Sequence, residues 1–173
     1  MNSVIVTNYA RDYSRKVLYE CIKVLLEVFS SLEQNWAFTG SVGQYIQGME
    51  LSPHDIDIQT NKQGAYSINK LLSKYCIEQV YFKESEKIRS YFGVFKTDSV
   101  KIEVMGDIQK LVNDSWTPKT DLKSEIVMID WKGMKIPVMD LGYELHAYHD
   151  MGRFERAELI KKFLQNKKTI IKF

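Results

Sequence analysis

The amino-acid sequence predicts an α+β fold in which a short mixed β-sheet is flanked by helices and followed by C-terminal helices. Apolar residues recur at three- and four-residue steps near both ends of the chain, which is typical of amphipathic helices. Between these ends, apolar and polar residues alternate in several short runs, which is typical of strands with one buried face. The 173 residues are predicted to form one domain over 1–173, with a core over about 11–139 and a helical segment over about 140–173.

The first half of the chain is predicted to alternate helices with strands. An apolar stripe over residues 13–32 predicts a long amphipathic helix with Asp12 as its N-cap. The elements predicted next, in chain order, are a strand at 36–39, a short helix at 41–46, a strand at 55–59 and a helix at 61–75. The last of these helices is expected to turn four side chains inward, namely Ile68, Leu71, Leu72 and Tyr75.

Period-two alternation predicts two β-hairpins in the second half of the chain. Their strands are expected at 89–96 and 100–105, joined by a turn at 97–99, and at 125–130 and 134–139, joined by Lys132-Gly133. In the strand at 100–105, Lys101, Glu103 and Met105 share one face. Two helices are predicted to close the chain, at 141–149 and 153–166, with Gly152 between them.

Composition and charge limit the classes of function. The net charge of +2, from 24 basic and 22 acidic residues, argues against extended nucleic-acid binding. The N-terminus lacks the apolar core of a signal peptide and no apolar run approaches about 18 residues, so a cytoplasmic protein without a membrane partner is expected. Cys21 and Cys76 lie within apolar helical patterns and have no metal-type spacing, so we expect buried free thiols.

Three acidic residues form a candidate metal site. Asp55 and Asp57 alternate with apolar residues in a predicted strand, so their carboxylates share one face, and Glu103 lies on another strand. If the two strands are neighbours, the three carboxylates repel one another strongly unless a cation lies among them. Oxygen ligands without His or Cys favour Mg²⁺ or Mn²⁺ over Zn²⁺.

A Gly-Ser step, separated from the acidic pair by thirteen residues, is a candidate phosphate-binding turn. Gly40 and Ser41 end a predicted strand and open a short helix, which is expected to leave backbone amides and a hydroxyl pointing outward. The backbone at glycine can approach a ligand closely, and the N-terminus of a helix is partly positive. A phosphate-binding turn that faces a carboxylate site is suited to phosphoryl or nucleotidyl transfer.

The sequence resembles the DNA polymerase β-type nucleotidyltransferase superfamily, in particular its small bacterial antibiotic-modifying and antitoxin-type members. The motifs that carry the resemblance are Gly40-Ser41, Asp55-Ile56-Asp57 and the later Glu103 in VKIEVMGD. The resemblance covers about residues 36–107, and the tail KIPVMDLGYELHAYHDMGR is also similar to small members of the superfamily.

This resemblance implies the polymerase β-like nucleotidyltransferase fold and a role for each motif residue. Gly40 and Ser41 would contact the nucleotide phosphates, and Asp55 and Asp57 would bind two divalent ions, Mg²⁺ or Mn²⁺. Glu103 would be the third metal ligand and the base for the acceptor hydroxyl. The third acid is more often Asp in the superfamily, and Asp107 lies near enough in the sequence to be the alternative.

The implied activity is Mg²⁺-dependent transfer of a nucleoside monophosphate from an NTP to a hydroxyl acceptor, with release of pyrophosphate. The acceptor is expected to be a small molecule or a protein side chain. The residues leave open a non-catalytic nucleotide-binding module or an antitoxin-type partner protein with the same fold, which would dock its partner through the amphipathic first helix or the basic tail at 161–173. A protein partner or a homodimer is compatible with both interpretations.

Five other polar residues are weaker candidates for the site: His54, Arg89, His146, His149 and Arg153. The two histidines of the tail are spaced for one helix face, but no third metal ligand is evident, which favours a solvated pair. Each arginine could bind phosphate or remain a surface or capping residue, and His54 is expected to lie in a loop.

Overall fold

The computed structural model describes the backbone of residues 2–97 and 99–170 and the side chains of residues 15–97 and 99–167. Its helices are α1 (Asn2–Val28), α2 (Gly40–Ile46), α3 (Lys62–Leu71), α4 (Leu122–Glu125), α5 (Leu141–Asp150) and α6 (Phe154–Ile170). Its strands are β1 (Trp36–Thr39), β2 (Asp55–Thr60), β3 (Cys76–Glu84), β4 (Ile88–Lys96), β5 (Lys101–Val112), β6 (Ser115–Trp116), β7 (Ile126–Trp131) and β8 (Met134–Met139). The predicted α+β class with C-terminal helices is confirmed.

The strands form one mixed sheet in the order β3-β4-β5-β2-β1-β8-β7, and β6 pairs with β5. Strand β2 lies near the middle, where it pairs antiparallel with β1 and parallel with β5. The register aligns Asp57 with Thr39 on one side and with Glu103 on the other. The two acidic strands of the sequence analysis are therefore neighbours.

One face of the sheet carries the main hydrophobic core. Ile56, Ile58 and Ile102 from β2 and β5 are fully buried there, together with apolar residues of α1, α2 and α3. The apolar stripe predicted for the first helix is confirmed, since its members lie in this core or pack against it. Because successive strand residues point to opposite faces, the residues between these isoleucines face away from the core.

Helix α1 is longer than predicted. It begins at Asn2, so the prediction that Asp12 is its N-cap is wrong, because helical backbone continues on both sides of Asp12. At its C-terminal end the helix tightens into a 3₁₀ turn at Phe29–Ser31. Among the residues whose side chains are described, the stripe packs on the core from Val17 onward.

Helix α3 is shorter than predicted. It ends at Leu71 and is followed by a separate 3₁₀ turn at Ser73–Tyr75. Ile68 and Leu72 are buried as expected, whereas Leu71 and Tyr75 are exposed. The prediction of four inward side chains is therefore half wrong: Tyr75 lies past the end of the helix, and Leu71, its last residue, lies on the exposed side.

The sheet is larger than predicted because it contains β3 and β6, for which the sequence analysis predicted no strands. The pairing of β3 with β4 shifts register twice, between Cys76 and Glu78 and between Glu78 and Tyr81, which disrupts simple alternation. Cys76 is the first residue of β3, so it lies on a strand and not in the helical pattern predicted for it. Both cysteines are free but only half-buried, and burial raises the pKa of the Cys21 thiol to about 11.

Both predicted hairpins are present, as β4–β5 and β7–β8. Asp98, in the turn of the first hairpin, lies outside the described residues. Strand β5 continues to Val112, well past the predicted end.

The C-terminal helices form a second, smaller core. The buried members of this core are Met49, Leu141, Tyr148, Ala157 and Ile160. Gly152 has a φ of +71°, which allows the chain to reverse between α5 and α6. Among the helices that the structure describes, none combines the length and the hydrophobicity that a membrane crossing requires.

Candidate active site

Three acidic side chains lie together on the face of the sheet opposite the main core. Strand alternation turns Asp55, Asp57 and Glu103 to this face, and Asp57 and Glu103 are partners across the parallel β2–β5 pair. Backbones of paired strands lie about 4.8 Å apart, so the carboxylates are close neighbours. The structure thus brings together the three acids that the sequence analysis selected.

These carboxylates line a cavity of about 320 Å³, which we call the carboxylate cavity. Strand β1 and the start of α2 contribute Thr39 and Gly40 to its lining, and α5 contributes Glu144. The remaining lining residues include Tyr148 of α5 and Lys110 of β5. The cavity is therefore enclosed by the central strands on one side and by the first C-terminal helix on the other.

The carboxyl group of Asp57 has a strongly perturbed pKa. Its burial, together with the negative charges of Asp55, Glu103 and Glu144, raises the pKa of Asp57 to about 7, although Lys101 lowers it. The negative charge of the carboxylates that line the cavity is thus only partly compensated by Lys101. Such an excess favours a bound cation.

Lys101 supplies part of the compensating charge. Its Nζ atom lies 2.8 Å from Glu103 Oε1 and 3.9 Å from Asp55 Oδ2, and the hydrogen bond to Glu103 raises the pKa of Lys101. In this arrangement no three His, Cys, Asp or Glu side chains within the described part of the chain are grouped closely enough to hold a metal ion. Joint binding of one cation by Asp55, Asp57 and Glu103 would therefore require these side chains to move closer together.

Gly40 forms the turn between β1 and α2, and only glycine fits there. Its φ is +62°, and a Cβ atom at this position would collide with the carboxylate of Asp57. The expectation that the Gly40 amide points outward is wrong, because its N–H donates to Glu144 Oε1 at 2.8 Å. Ser41 does not belong to the described lining of the carboxylate cavity, so its contact with phosphate remains a prediction.

Glu144 is a site residue that the sequence analysis missed. It is 3% exposed and accepts hydrogen bonds from Thr39 Oγ1 at 2.6 Å, from the Gly40 N–H at 2.8 Å and from Gln44 Nε2 at 3.4 Å. Burial raises the pKa of Glu144, while these hydrogen bonds oppose the rise. A carboxylate within the buried stripe of α5 was the available signal, since a charge is rarely buried without partners.

Removing the Glu144 carboxylate is expected to loosen the β1–α2 turn. Glu144→Ala leaves the Gly40 amide and the Thr39 hydroxyl without their acceptor, which should lower the free energy of unfolding by about 1–3 kcal/mol. Glu144→Gln retains an acceptor oxygen and the side-chain volume, so it should lose much less. Urea unfolding of both variants measures the difference.

Glu158→Ala is a suitable control for this prediction. Glu158 is an exposed glutamate on α6 that makes a 3.8 Å ion pair with Lys161. Its removal is expected to change the free energy of unfolding by less than about 0.5 kcal/mol. A loss in Glu144→Ala as small as that of the control would contradict the role of Glu144 in holding the turn.

Asp107 and Arg89 lie outside the described lining of the carboxylate cavity. The Asp107 carboxylate is 2.7 Å from Lys119 Nζ, which makes Glu103 the better candidate for the third acid. The Arg89 guanidinium donates to Gln109 Oε1 at 3.1 Å and stacks 4.4 Å from the ring centre of Trp116. These contacts give Arg89 a structural role.

The other weaker candidates are exposed. His146 and His149 are exposed on α5, where His146 also lines a second cavity and the ring of His149 contacts Phe154. His54 lies in the loop before β2. Arg153 is exposed but lines the carboxylate cavity, and its carbonyl accepts the first hydrogen bond of α6, so both interpretations of this residue remain open.

A second cavity of about 530 Å³ adjoins the first, and Lys110, Tyr143 and Ala147 line both. We call it the acidic cavity because four carboxylates line it: Asp121, Glu125, Asp140 and Asp150. The side chains of Asp121 and Asp140 also cap α4 and α5. The lining is predominantly negative, which favours a cationic ligand over an anionic one.

Comparison with known proteins supports the same class. Residues 21–162 match the family of aminoglycoside-2''-adenylyltransferases. A Thermotoga maritima protein assigned as a nucleotidyltransferase, whose crystal structure is known, is 40% identical to this chain. The match covers 85% of this chain and 94% of that protein, with a TM-score of 0.71. Among curated proteins no significant match is found.

Two more distant structures share the fold. The lincosamide antibiotic adenylyltransferase LnuA, in its lincomycin-bound form, is 13% identical, with a TM-score of 0.51 over 79% of this chain and 94% of that one. ANT(2'')-Ia in complex with adenylyl-2''-tobramycin is 9% identical, with a TM-score of 0.56 over 90% of this chain and 94% of that one.

The family match covers most of the chain, and the similar Thermotoga maritima protein also covers most of it. Both agree with the resemblance to the polymerase β-type superfamily that the Gly-Ser and Asp-Ile-Asp motifs indicated, and this resemblance is confirmed. The chain is a nucleotidyltransferase and belongs to the aminoglycoside-2''-adenylyltransferase family.

Proposed function

We propose that this protein transfers an adenylyl group from ATP to a hydroxyl of a small cationic molecule, with Mg²⁺ or Mn²⁺ as cofactor and release of pyrophosphate. The observation that supports it most directly is the row of Asp55, Asp57 and Glu103 beside the Gly40 turn, within one cavity. Adenylyl transfer is chosen because the matched family is named for it.

The donor set suits a divalent cation. Asp55, Asp57 and Glu103 offer the hard carboxylate oxygens that Mg²⁺ and Mn²⁺ prefer, and burial followed by the neighbouring carboxylates raises the pKa of Asp57. We assign these three residues as the metal ligands. Two bound divalent ions would neutralise phosphate charge and increase the acidity of the acceptor hydroxyl.

Each residue of the site then has its own proposed role. The Gly40 turn brings backbone close to the phosphates, and Glu144 holds the turn in place through the Gly40 amide. Ser41 would contribute its hydroxyl and amide to the phosphates. Glu103 accepts the proton of the acceptor hydroxyl once it has left Lys101, because it lies in the row that faces the cavity.

The acidic cavity is proposed as the acceptor site. It is joined to the carboxylate cavity through Lys110, Tyr143 and Ala147, so an acceptor bound there could direct a hydroxyl to the nucleotide. Its carboxylates suit a cationic molecule, in agreement with the aminoglycoside acceptors for which the family is named. The tobramycin product in the ANT(2'')-Ia structure is of the same chemical kind.

We further propose that the whole chain acts as one nucleotidyltransferase domain, in which the C-terminal helices complete the site through Glu144 and Tyr148. A cytoplasmic location remains a prediction, as does a protein partner or a homodimer.

A transfer assay tests the proposed function. The protein is incubated with ATP, Mg²⁺ and each member of a panel that includes tobramycin and lincomycin. Pyrophosphate release and the mass of the acceptor are then followed. Adenylylation of a cationic member of the panel is the expected result. ATP binding without transfer to any acceptor would instead support the non-catalytic nucleotide-binding alternative.

Thermal unfolding provides the matching binding measurement. ATP with Mg²⁺ at 100 times its dissociation constant should stabilise the protein by about 2.7 kcal/mol. The shift should require the divalent cation. A protein that neither binds ATP nor modifies any acceptor would exclude the proposed function.

A further inference from the structure

Lys110 is a buried cation that lines both cavities and has no role in the site as described so far. It is 6% exposed, and its Nζ atom donates a single hydrogen bond, to the Tyr143 hydroxyl at 3.3 Å. The same Nζ atom lies 5.0 Å from the centre of the Tyr143 ring. Since an ammonium group carries three donors, two of its N–H groups have no acceptor among the described residues.

The charge of Lys110 is also not neutralised by an ion pair with any described carboxylate. Glu144 is near enough for Lys110 to lower its pKa, but its oxygens are bound to Thr39, Gly40 and Gln44. A buried charge is normally paired, because removing it from water is costly. An unpaired ammonium that faces a cavity therefore indicates an anionic ligand in that cavity.

A β-bulge in β5 directs Lys110 into the cavity. Before the bulge, the odd-numbered Glu103 and Met105 line the carboxylate cavity, and after it the even-numbered Ile108 and Lys110 line it. The extra residue is Asp107, which has a φ of +50°. In a regular strand Lys110 would face the opposite side, and bulges of this kind re-aim side chains next to active sites.

The pairing with β4 shows the same one-residue shift. Tyr91 pairs with Gly106, whereas Arg89 pairs with Gln109, so one more residue lies on β5 than on β4 between these pairs. The shift in register and the change in the lining residues are two independent signs of the bulge. The direction of Lys110 is thus built into the backbone rather than being a choice of side-chain rotamer.

We propose that Lys110 binds the triphosphate chain of the nucleotide donor at the junction of the two cavities. The inference rests on the proposed function for the identity of the anion, but not for the existence of an anion site. The acidic cavity alone would repel an anion, whereas Lys110 places a positive charge at the junction of the two cavities. A phosphate oxygen there would supply the acceptor that the ammonium lacks and would leave the acidic cavity free for a cationic acceptor.

Isothermal titration with tripolyphosphate, ATP and adenosine, each with Mg²⁺, tests the inference. Lys110→Met keeps the unbranched stem of the side chain and removes the charged terminal nitrogen, and it is expected to weaken binding of tripolyphosphate and ATP by about 10- to 100-fold. Adenosine, which lacks phosphates, should bind wild type and variant equally. Lys161→Met is the matched control, since Lys161 is exposed on α6 and lies outside the described lining of both cavities.

The stability of Lys110→Met separates a binding role from a structural one. Removal of an uncompensated buried charge should leave the midpoint of urea unfolding unchanged or higher, whereas loss of a structural lysine would lower it. Equal affinity of wild type and Lys110→Met for tripolyphosphate would overturn the inference, as would a wild type that binds no tripolyphosphate. Neither result depends on the transfer assay, so failure of the proposed function is recognised separately.

Discussion

Replacing Asp57 by asparagine is expected to lower the rate of adenylyl transfer by at least about 100-fold. Asp57 lies between Thr39 and Glu103 in the central row of the sheet, and we assign it as a metal ligand beside the Gly40 turn. A divalent ion stabilises the charge of the transition state by several kcal/mol, and each 1.4 kcal/mol corresponds to a factor of ten in rate. Steady-state measurement of kcat/KM with ATP and an acceptor identified by the panel tests this expectation.

Asp107→Asn is the matched control for the rate. Asp107 is on the same strand as Glu103, but its carboxylate pairs with Lys119 and lies outside the described lining of the carboxylate cavity. This variant should retain most of the activity. If it lost as much activity as Asp57→Asn, the assignment of Glu103 rather than Asp107 as the third acid would be wrong.

The same Asp57→Asn variant is expected to be more stable than the wild type above neutral pH. The pKa of Asp57 is about 7 in the folded protein, compared with an ordinary value of 3.8, because burial and neighbouring carboxylates disfavour its charged form. The folded protein therefore holds this proton more tightly than the unfolded chain. The stability contributed by the protonated form is lost as the pH rises from about 4 to about 7.

Asparagine does not titrate, so the variant does not lose this stability as the pH rises. A shift of about three pKa units corresponds to an upper bound on the order of 4 kcal/mol, and a gain of about 2–4 kcal/mol at pH 8 is expected. Urea unfolding of both proteins at pH 5 and pH 8, without divalent cations, measures the difference. A gain that does not increase between these pH values would show that the Asp57 carboxyl is not perturbed in the fold. Added Mg²⁺ should stabilise the wild type more than the variant.

Much of the fold could be predicted from local pattern. The stripe of the first helix, the two hairpins and the alternation of β2 depend on periodicity, which is a property of neighbouring residues along the chain. Prediction from the sequence failed where contacts between distant segments, and not local periodicity, determined the structure. Strand β3 was missed because two register shifts break its alternation, and Tyr75 was assigned to the core because α3 was extended past its end.

The residues of the candidate site likewise fall into two groups, those predicted from local pattern and those decided by tertiary contacts. Asp55, Asp57, Glu103 and Gly40 were identified from spacing, because carboxylates that alternate with isoleucines must share one face of a strand. Glu144 was missed because it lies about one hundred residues away from the turn that it holds. Lys110 was missed because the predicted strand ended at residue 105 and because a bulge at Asp107 turns this position to the face that regular alternation would not give it.

The sequence by itself determined the class of fold, the motif residues and the sign of charge at the centre of the site, because each follows from residue type and short-range spacing. Only the tertiary structure decided that the Gly40 amide is held by a buried carboxylate, that Lys101 pairs with Glu103 and that Lys110 faces the cavities. These contacts depend on strand register, on one extra residue in β5 and on the docking of α5. All three arise from packing between segments that are distant in the chain, for which local periodicity carries no information.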